Sequence, residues 1–345
     1  MKRPLMGRRW VRVAAGAVAV MAVVALVAAV WLARQLNPSG PPGPLVRVAI
    51  QPGASVAGIA RQLEQENVLT SARLFRLYVR FKGDDGGFQA GEYVLRERMA
   101  MSSVVDALGQ GPEIRYSRLI VPEGLTLTEI AERVGKLPGR DGGRFLELAR
   151  SGQIRSRLQP PGVDTLEGLL FPDTYLLTDK EDEPAVLRRL VTRFDEVAGS
   201  VGVDGPGRPA GLSPYEVVVA ASLVETEAKV DEDRPLIASV IENRLERKMR
   251  LQIDATVLYA LGRHKSRVLF KDLEIDSPYN TYKVDGLPPT PIGASGRASL
   301  EAMMKPADTE FIYYVLFEKN GKHAFAETAA EFERLKAESR RKGVL

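Results

Sequence analysis

Ser213-Pro214-Tyr215-Glu216 opens the stretch SPYEVVVAASLVETEAKV, Ser213 to Val230, whose reading decides the larger part of the fold. Ser213 and Glu216 have the spacing of a capping box, and Pro214 fills the first helical position, where its missing N–H costs nothing. The helix that follows is apolar nearly all round as far as Val224, the pattern of a helix buried on every side. Its first carboxylate after the apolar run is Glu225, with Ser222 one turn earlier on the same side. Glu227 lies two residues on, about 200° round the helix, so the two acids face different neighbours. Burial in apolar surroundings disfavours a carboxylate, the condition for an acid that donates a proton near neutral pH. The plainer alternative is that each acid pairs with a nearby base, Lys229, Arg234 or Arg244.

Downstream, a second helix is expected from Asp233-Arg234-Pro235 to about Lys248. A third opens at Asp254 and closes at Gly262, and a short one runs from Ser299 to Met304 before Pro306. Leu273 to Ile292 reads as a loop rich in Pro, Tyr and Gly. Phe311–Phe317, Asn320-Gly321 and Lys322–Ala326 read as a β-hairpin on a two-residue turn. Thr328 to Glu331 caps a polar C-terminal helix. Glycine-rich stretches at Lys82–Gly87, Gly139–Gly143 and Gly202–Gly211 read as surface loops. Asp254 is either the second carboxylate of a hydrolase pair or the cap of its helix. Asn243-Arg244 and Tyr279-Asn280-Thr281-Tyr282 offer amide, guanidinium, hydroxyl and ring groups that suit sugars, or that simply pack. His323 packs in its strand or lines a groove.

Upstream, VAIQPGASVAGIARQL and LIVPEGLTLTEIAERV share one plan: strand, Pro/Gly turn, Ser or Thr cap, amphipathic helix. Glu92–Leu95 followed by Met101–Leu108 is a looser copy. Before them, Val13 to Ala33 is apolar and uncharged, and about 21 residues at 1.5 Å rise span a hydrocarbon core of about 30 Å. Lys2, Arg3, Arg8, Arg9 and Arg12 precede it, which places residues 1–12 in the cytoplasm and the rest outside. A cleaved signal peptide is the competing reading, though the apolar run is longer than such segments need. Residues 34–45 form a Pro/Gly linker.

The chain has 345 residues, a formal charge of +4 and no cysteine, which excludes disulfides and thiol chemistry. Much of the positive excess sits in the first dozen residues, so the charge is no nucleic-acid footprint. Only two histidines, His264 and His323, make a histidine metal centre or a Ser-His-Asp triad a poor expectation. The class expected is α+β: an N-terminal transmembrane helix, a small β-α module over 46–111, and a mainly helical domain over 112–345 with a β-hairpin.

Six passages in order resemble one family, the MltG (YceG-like) endolytic murein transglycosylases. They are Leu166-Glu167-Gly168-Leu169-Leu170-Phe171-Pro172-Asp173-Thr174-Tyr175, Ala221 to Glu227, Asn243-Arg244-Leu245, Leu251 to Val257, Tyr279 to Tyr282, and Gly286-Leu287-Pro288-Pro289. Thr226 and Thr290 stand where the family commonly has other residues. The resemblance implies a LysM-like glycan-binding module in the β-α region and a catalytic domain after it. Glu225 is then the catalytic residue. Around it, Ser222, Glu227, Asn243, Arg244, Gln252, Asp254, Thr256, Tyr279, Asn280, Thr281, Tyr282, Pro288 and Glu167 are expected to form the substrate site. It also implies cleavage of the MurNAc-β-1,4-GlcNAc bond of nascent peptidoglycan strands to leave 1,6-anhydroMurNAc ends, and action beside the synthases (penicillin-binding proteins). No metal or cofactor is implied. A non-catalytic glycan-binding scaffold and a muramidase using Asp254 are the alternatives.

Overall fold

The computed structural model describes residues 6–41, 43–83, 87–262 and 268–345, with side chains from Gly16 onward. His264, part of the linker and part of the Lys82–Gly87 loop lie outside the described residues, as do Lys2 and Arg3. The chain is mixed α and β and divides into two compact units, Met1–Ser117 with Thr178–Lys180, and Arg118–Leu177 with Glu181–Leu345.

The first unit begins with α1 (Met6–Leu36), followed by β1 (Leu45–Ile50), α2 (Val56–Gln65) and α3 (Ala72–Lys82). Then come β2 (Gly91–Arg96), α4 (Met101–Gln110) and the start of β3 (Ile114–Ile120). Among the described residues α1 is the one helix long and apolar enough to cross a membrane, over Gly16–Leu36 with a mean hydropathy of 2.6. β1 pairs antiparallel with β2, with Val48 opposite Tyr93, and β2 with β3. Ser55 caps α2 by accepting from the Gly58 N–H at 3.1 Å. Ile50, Leu63, Phe75, Val79, Leu95, Met101 and Leu108 form the core. The three strand-helix passages all form, but α3 intervenes after the first and the capped third, β3 with α5 (Leu127–Gly135), runs into the second unit. The repeat is therefore one of local plan and does not delimit a module.

The second unit continues with α6 (Gly142–Arg150), β4 (Thr174–Thr178), α7 (Glu183–Val201) and α8 (Pro214–Glu227). It closes with α9 (Arg234–Glu246), α10 (Asp254–Leu261), α11 (Arg297–Met304), the pair β5 (Tyr313–Leu316) and β6 (His323–Ala326), and α12 (Ala329–Arg341). The expected capping box of α8 is present. The Glu216 carboxylate accepts from the Ser213 N–H at 2.8 Å, and the Ser213 hydroxyl from the Glu216 N–H at 3.3 Å. Val217 to Val224 are all buried, walled in by α9, α10 and α11. Each buried Val or Leu adds roughly 1.5–3 kcal/mol, so α8 is the spine of this unit.

Three local expectations are corrected. The Gly139–Gly143 stretch is half helix, because Asp141 caps α6 through the Arg144 N–H. The hairpin turn is longer than two residues: the last pair is Leu316 with His323, and only Gly321 takes positive φ, +98°. Asp254 does not cap α10, whose N-cap is Ile253, and this frees its carboxylate for another partner.

Candidate active site

Glu225 and Glu227 fall in the last turn of α8, where the helix carries its negative end and disfavours acids. Each needs compensation from elsewhere, and the two receive it differently. The Glu225 side chain is only 6% exposed, and Arg234 Nη1, at the start of α9, lies 3.1 Å from its Oε1. Its Oε2 accepts from the Gly296 N–H at 2.9 Å, and Gly296 is the N-cap of α11. The positive end of one helix thus meets an acid on the negative end of another. Arg234 is held in turn by Asp231 at 3.1 Å and by Ser299. The expected apolar surroundings are corrected: the carboxylate is buried but charge-matched, as the ion-pair alternative required.

The segment Pro291 to Gly296 is the floor of this arrangement. The Ser222 hydroxyl accepts from Ile292 N–H at 3.1 Å and donates to the Val219 carbonyl at 2.7 Å. Ala294 exchanges two main-chain bonds with Gly124 and Leu125, both at 2.8 Å. Gly293 packs so closely that a Cβ there would sit 2.7 Å from the Gly124 carbonyl oxygen.

Glu123, just before Gly124, is the acid that the sequence reading missed. A Cβ on Gly296 would fall 1.8 Å from Glu123 Oε1, so the Glu123 carboxyl lies over the same glycine whose N–H holds Glu225. Its pKa is raised by burial first and then by the Glu225 charge, with Arg234 opposing and Asp231 adding. Glu123 lies about a hundred residues from Glu225 in sequence, and its only local signal was the Pro-Glu-Gly turn.

Glu227 heads a second cluster. Burial pushes its carboxyl up to about 7, Asp254 adds to the shift, and a hydrogen bond from Tyr314 and the Lys229 charge oppose it. Asp254 accepts from the Tyr282 hydroxyl at 2.6 Å. Beyond Tyr314, the His323 ring stands edge-on at 5.5 Å and bonds the buried Asp233 at 2.9 Å. His323 is thus a tie between the hairpin and the residue next to Arg234.

The remaining expected residues divide by where their polar atoms go. Asn243 spends its amide on the Thr309 and Phe311 carbonyls, at 2.7 and 2.9 Å. Arg244 is buried and binds the Ile312, Arg250 and Leu251 carbonyls while lying over the Tyr313 ring. Asn280 holds the Leu273 and Ile275 carbonyls, and Thr281 joins Thr256 and the Ile253 N–H. Pro288 is buried. With Ser222, these residues place the polar groups named here on the protein's own carbonyls, hydroxyls and amides. Gln252 is exposed with a left-handed backbone, φ +52°, held by its N–H to the Thr281 carbonyl at 3.1 Å. Such a strained residue survives only where its surroundings fix it, often at functional sites.

Glu167 is buried at the start of α5, accepting from the Leu127 N–H at 2.8 Å and the Tyr259 hydroxyl at 3.0 Å. Burial drives its carboxyl up to about 7 against those two bonds. The Tyr259 and Tyr279 rings lie 4.8 Å apart, and the Tyr279 hydroxyl meets Thr290 at 2.8 Å. Glu123, Gln252 and Asp254 are exposed, and Tyr282 is half-buried.

Residues 48–338 match the family model of the YceG-like family. The endolytic murein transglycosylase of Bacillus subtilis (strain 168) is 35% identical over 305 residues, covering 84% of each chain. That of Streptococcus pneumoniae serotype 2 (strain D39) is 28% identical over 338 residues, covering 85% of this chain and 58% of its own length. A solved YceG-like protein of Listeria monocytogenes superposes with a TM-score of 0.60 at 32% identity, covering 84% of this chain and 98% of that one. A family model that matches so much of the sequence, beside relatives of that likeness, leaves one conclusion: the chain belongs to the YceG-like family.

Proposed function

We propose that the protein is an endolytic peptidoglycan transglycosylase, with Glu225 as its acid and then its base. The observation that carries this reading is the double hold on Glu225 by Arg234 and the Gly296 N–H, in a chain whose relatives bear that name. Protonated Glu225 gives its proton to the glycosidic oxygen as the bond to the MurNAc anomeric carbon breaks. The carboxylate so formed is the species that Arg234 and the amide stabilise. It then takes the proton of the C6 hydroxyl as that oxygen attacks the anomeric carbon. The products are a GlcNAc hydroxyl end and a 1,6-anhydroMurNAc end. No water is consumed, and Glu225 recovers its proton. A substrate that brings its own nucleophile needs no second carboxylate to activate water.

In this reading α1 anchors the protein in the plasma membrane with residues 1–12 in the cytoplasm. The strand-helix-helix-strand order of β1, α2, α3 and β2, closed by antiparallel pairing, supports a LysM-like glycan-binding module over 46–111, with the catalytic domain over 112–345. Synthases that polymerise the strands are the expected neighbours. Mass analysis of defined uncrosslinked glycan after digestion tests the activity. Anhydro ends are expected. Reducing ends would make the protein a muramidase with Asp254 assisting water, and binding without cleavage would make it a scaffold.

A further inference from the structure

Helix α3 has an unused face. Ala72, Phe75 and Val79 bury one side in the core of the first unit, and the opposite side shows Arg73, Arg76, Leu77, Arg80 and Phe81. Those positions follow the i, i+3, i+4, i+7, i+8 spacing of a single helical stripe. Leu77 is 50% exposed and Phe81 83%. The helix carries no acid, and its three arginines make no ion pair among the described residues. Asp84 and Asp85 follow it, outside the described residues. For a purely solvated face, two large apolar side chains one turn apart are out of place.

The position of α3 says what covers that stripe. The Thr70 hydroxyl, one residue before the cap of α3, donates to the Gln35 carbonyl in the last turn of α1 at 3.0 Å. Leu36, the last residue of α1, packs against the core that α3 helps to form. α1 is exposed up to Arg34 and becomes half-buried at Gln35 and Leu36, so the span meets the folded unit there. An 11-residue helix is about 16 Å long, so the whole stripe lies within about that distance of the point where the chain leaves the bilayer. Cationic residues beside apolar ones, at that depth, match an anionic headgroup layer.

We infer that the Arg73–Phe81 stripe of α3 lies on the anionic headgroups of the membrane that α1 crosses, docking the first unit flat against the bilayer surface. This inference rests on the anchor reading of α1. Leu77 and Phe81 enter the upper acyl region while Arg73, Arg76 and Arg80 pair with lipid phosphates.

The chain has no cysteine, so a single introduced thiol can carry a nitroxide without background. The full chain is reconstituted as L77C, and separately as V24C inside α1, in bilayers with and without phosphatidylglycerol. Collision with lipid-soluble oxygen is compared with collision with an aqueous nickel chelate. At 77 the oxygen preference is expected to rise several-fold in the anionic bilayers, and to fall back when Arg73, Arg76 and Arg80 are changed to Glu. At 24 it is high in both lipids. A label at 77 that stays water-accessible in both lipids, with 24 in lipid, overturns the inference and leaves the anchor standing. Protection at 77 that is equal in both lipids and survives the Arg→Glu changes assigns the face to a protein or glycan partner and also overturns it. Water accessibility at 24 removes the anchor reading and the inference with it.

Discussion

Glu225 is held by two charges of opposite provenance, a guanidinium from α9 and a backbone dipole from α11, and that pairing sets what its replacement does. Glu225→Gln keeps the size and one acceptor, so the fold persists while cleavage falls by ~100-fold or more. Release of anhydro ends from glycan strands measures it, and undiminished turnover would remove Glu225 from the mechanism. The Glu225 charge favours a proton on Glu123, whose carboxyl lies over the Gly296 whose N–H holds Glu225. Glu123→Gln keeps the size and removes the ionisable group, and is expected to lower the release of anhydro ends several-fold in a folded protein. Undiminished release would leave Glu123 outside the site. Asp254→Asn keeps measurable turnover if Tyr282 is its main business. Complete loss in a folded protein would bring back the hydrolase.

At the scale of elements, Pro291–Gly296 carries the site more than any helix does. Gly296→Ala has backbone angles open to alanine, φ −72°, but its methyl must displace the flexible Glu123 side chain. It is expected to fold and to lower the release of anhydro ends as Glu123→Gln does, without touching a carboxyl group, and wild-type release from that variant would refute the shared role. Ser222→Ala leaves the buried Ile292 N–H without its acceptor, which costs about 1–3 kcal/mol in denaturant melts. It also lowers kcat more than it raises KM. Much of this element level was legible in sequence. The capping box and the apolar run have local causes and both formed, whereas Asn-Gly sits inside a longer connection between Leu316 and His323. What stayed hidden has non-local causes: Glu123 meets Glu225 only through the loop, and Asp254 abandons its cap for a tyrosine in another segment. α3 was missed because its arginine-rich exposed stripe hides the three buried positions, Ala72, Phe75 and Val79, that hold it to the core.

For the molecule as a whole, one buried acid makes stability depend on pH in an unusual direction. Glu167 has its carboxyl near 7 in the fold, above the value of 4.5 for a free side chain. Between those values the folded state keeps a proton that the unfolded chain gives up, so stability falls as pH rises through that window and stays lower above it. The difference is on the order of 3 kcal/mol. Glu167→Gln imitates the neutral acid, so it is expected to match wild type at pH 4.5 and to melt higher at pH 8. Equal melting at both pH values would place a charged Glu167 in the fold. Fold class and the N-terminal apolar helix were readable because each rests on long apolar runs, Val217–Val224 and Gly16–Leu36. The division into two units was less so, since β3 and β4 each cross it.

The Gly296 N–H that binds Glu225 belongs to the main chain, and only proline at 296 would delete it. Half of the acid's setting is therefore inherited through the path of a loop instead of through any side chain. Drift at that position can change crowding but not the donor, so such a lineage loses activity by bending the loop long before it loses the contact by substitution.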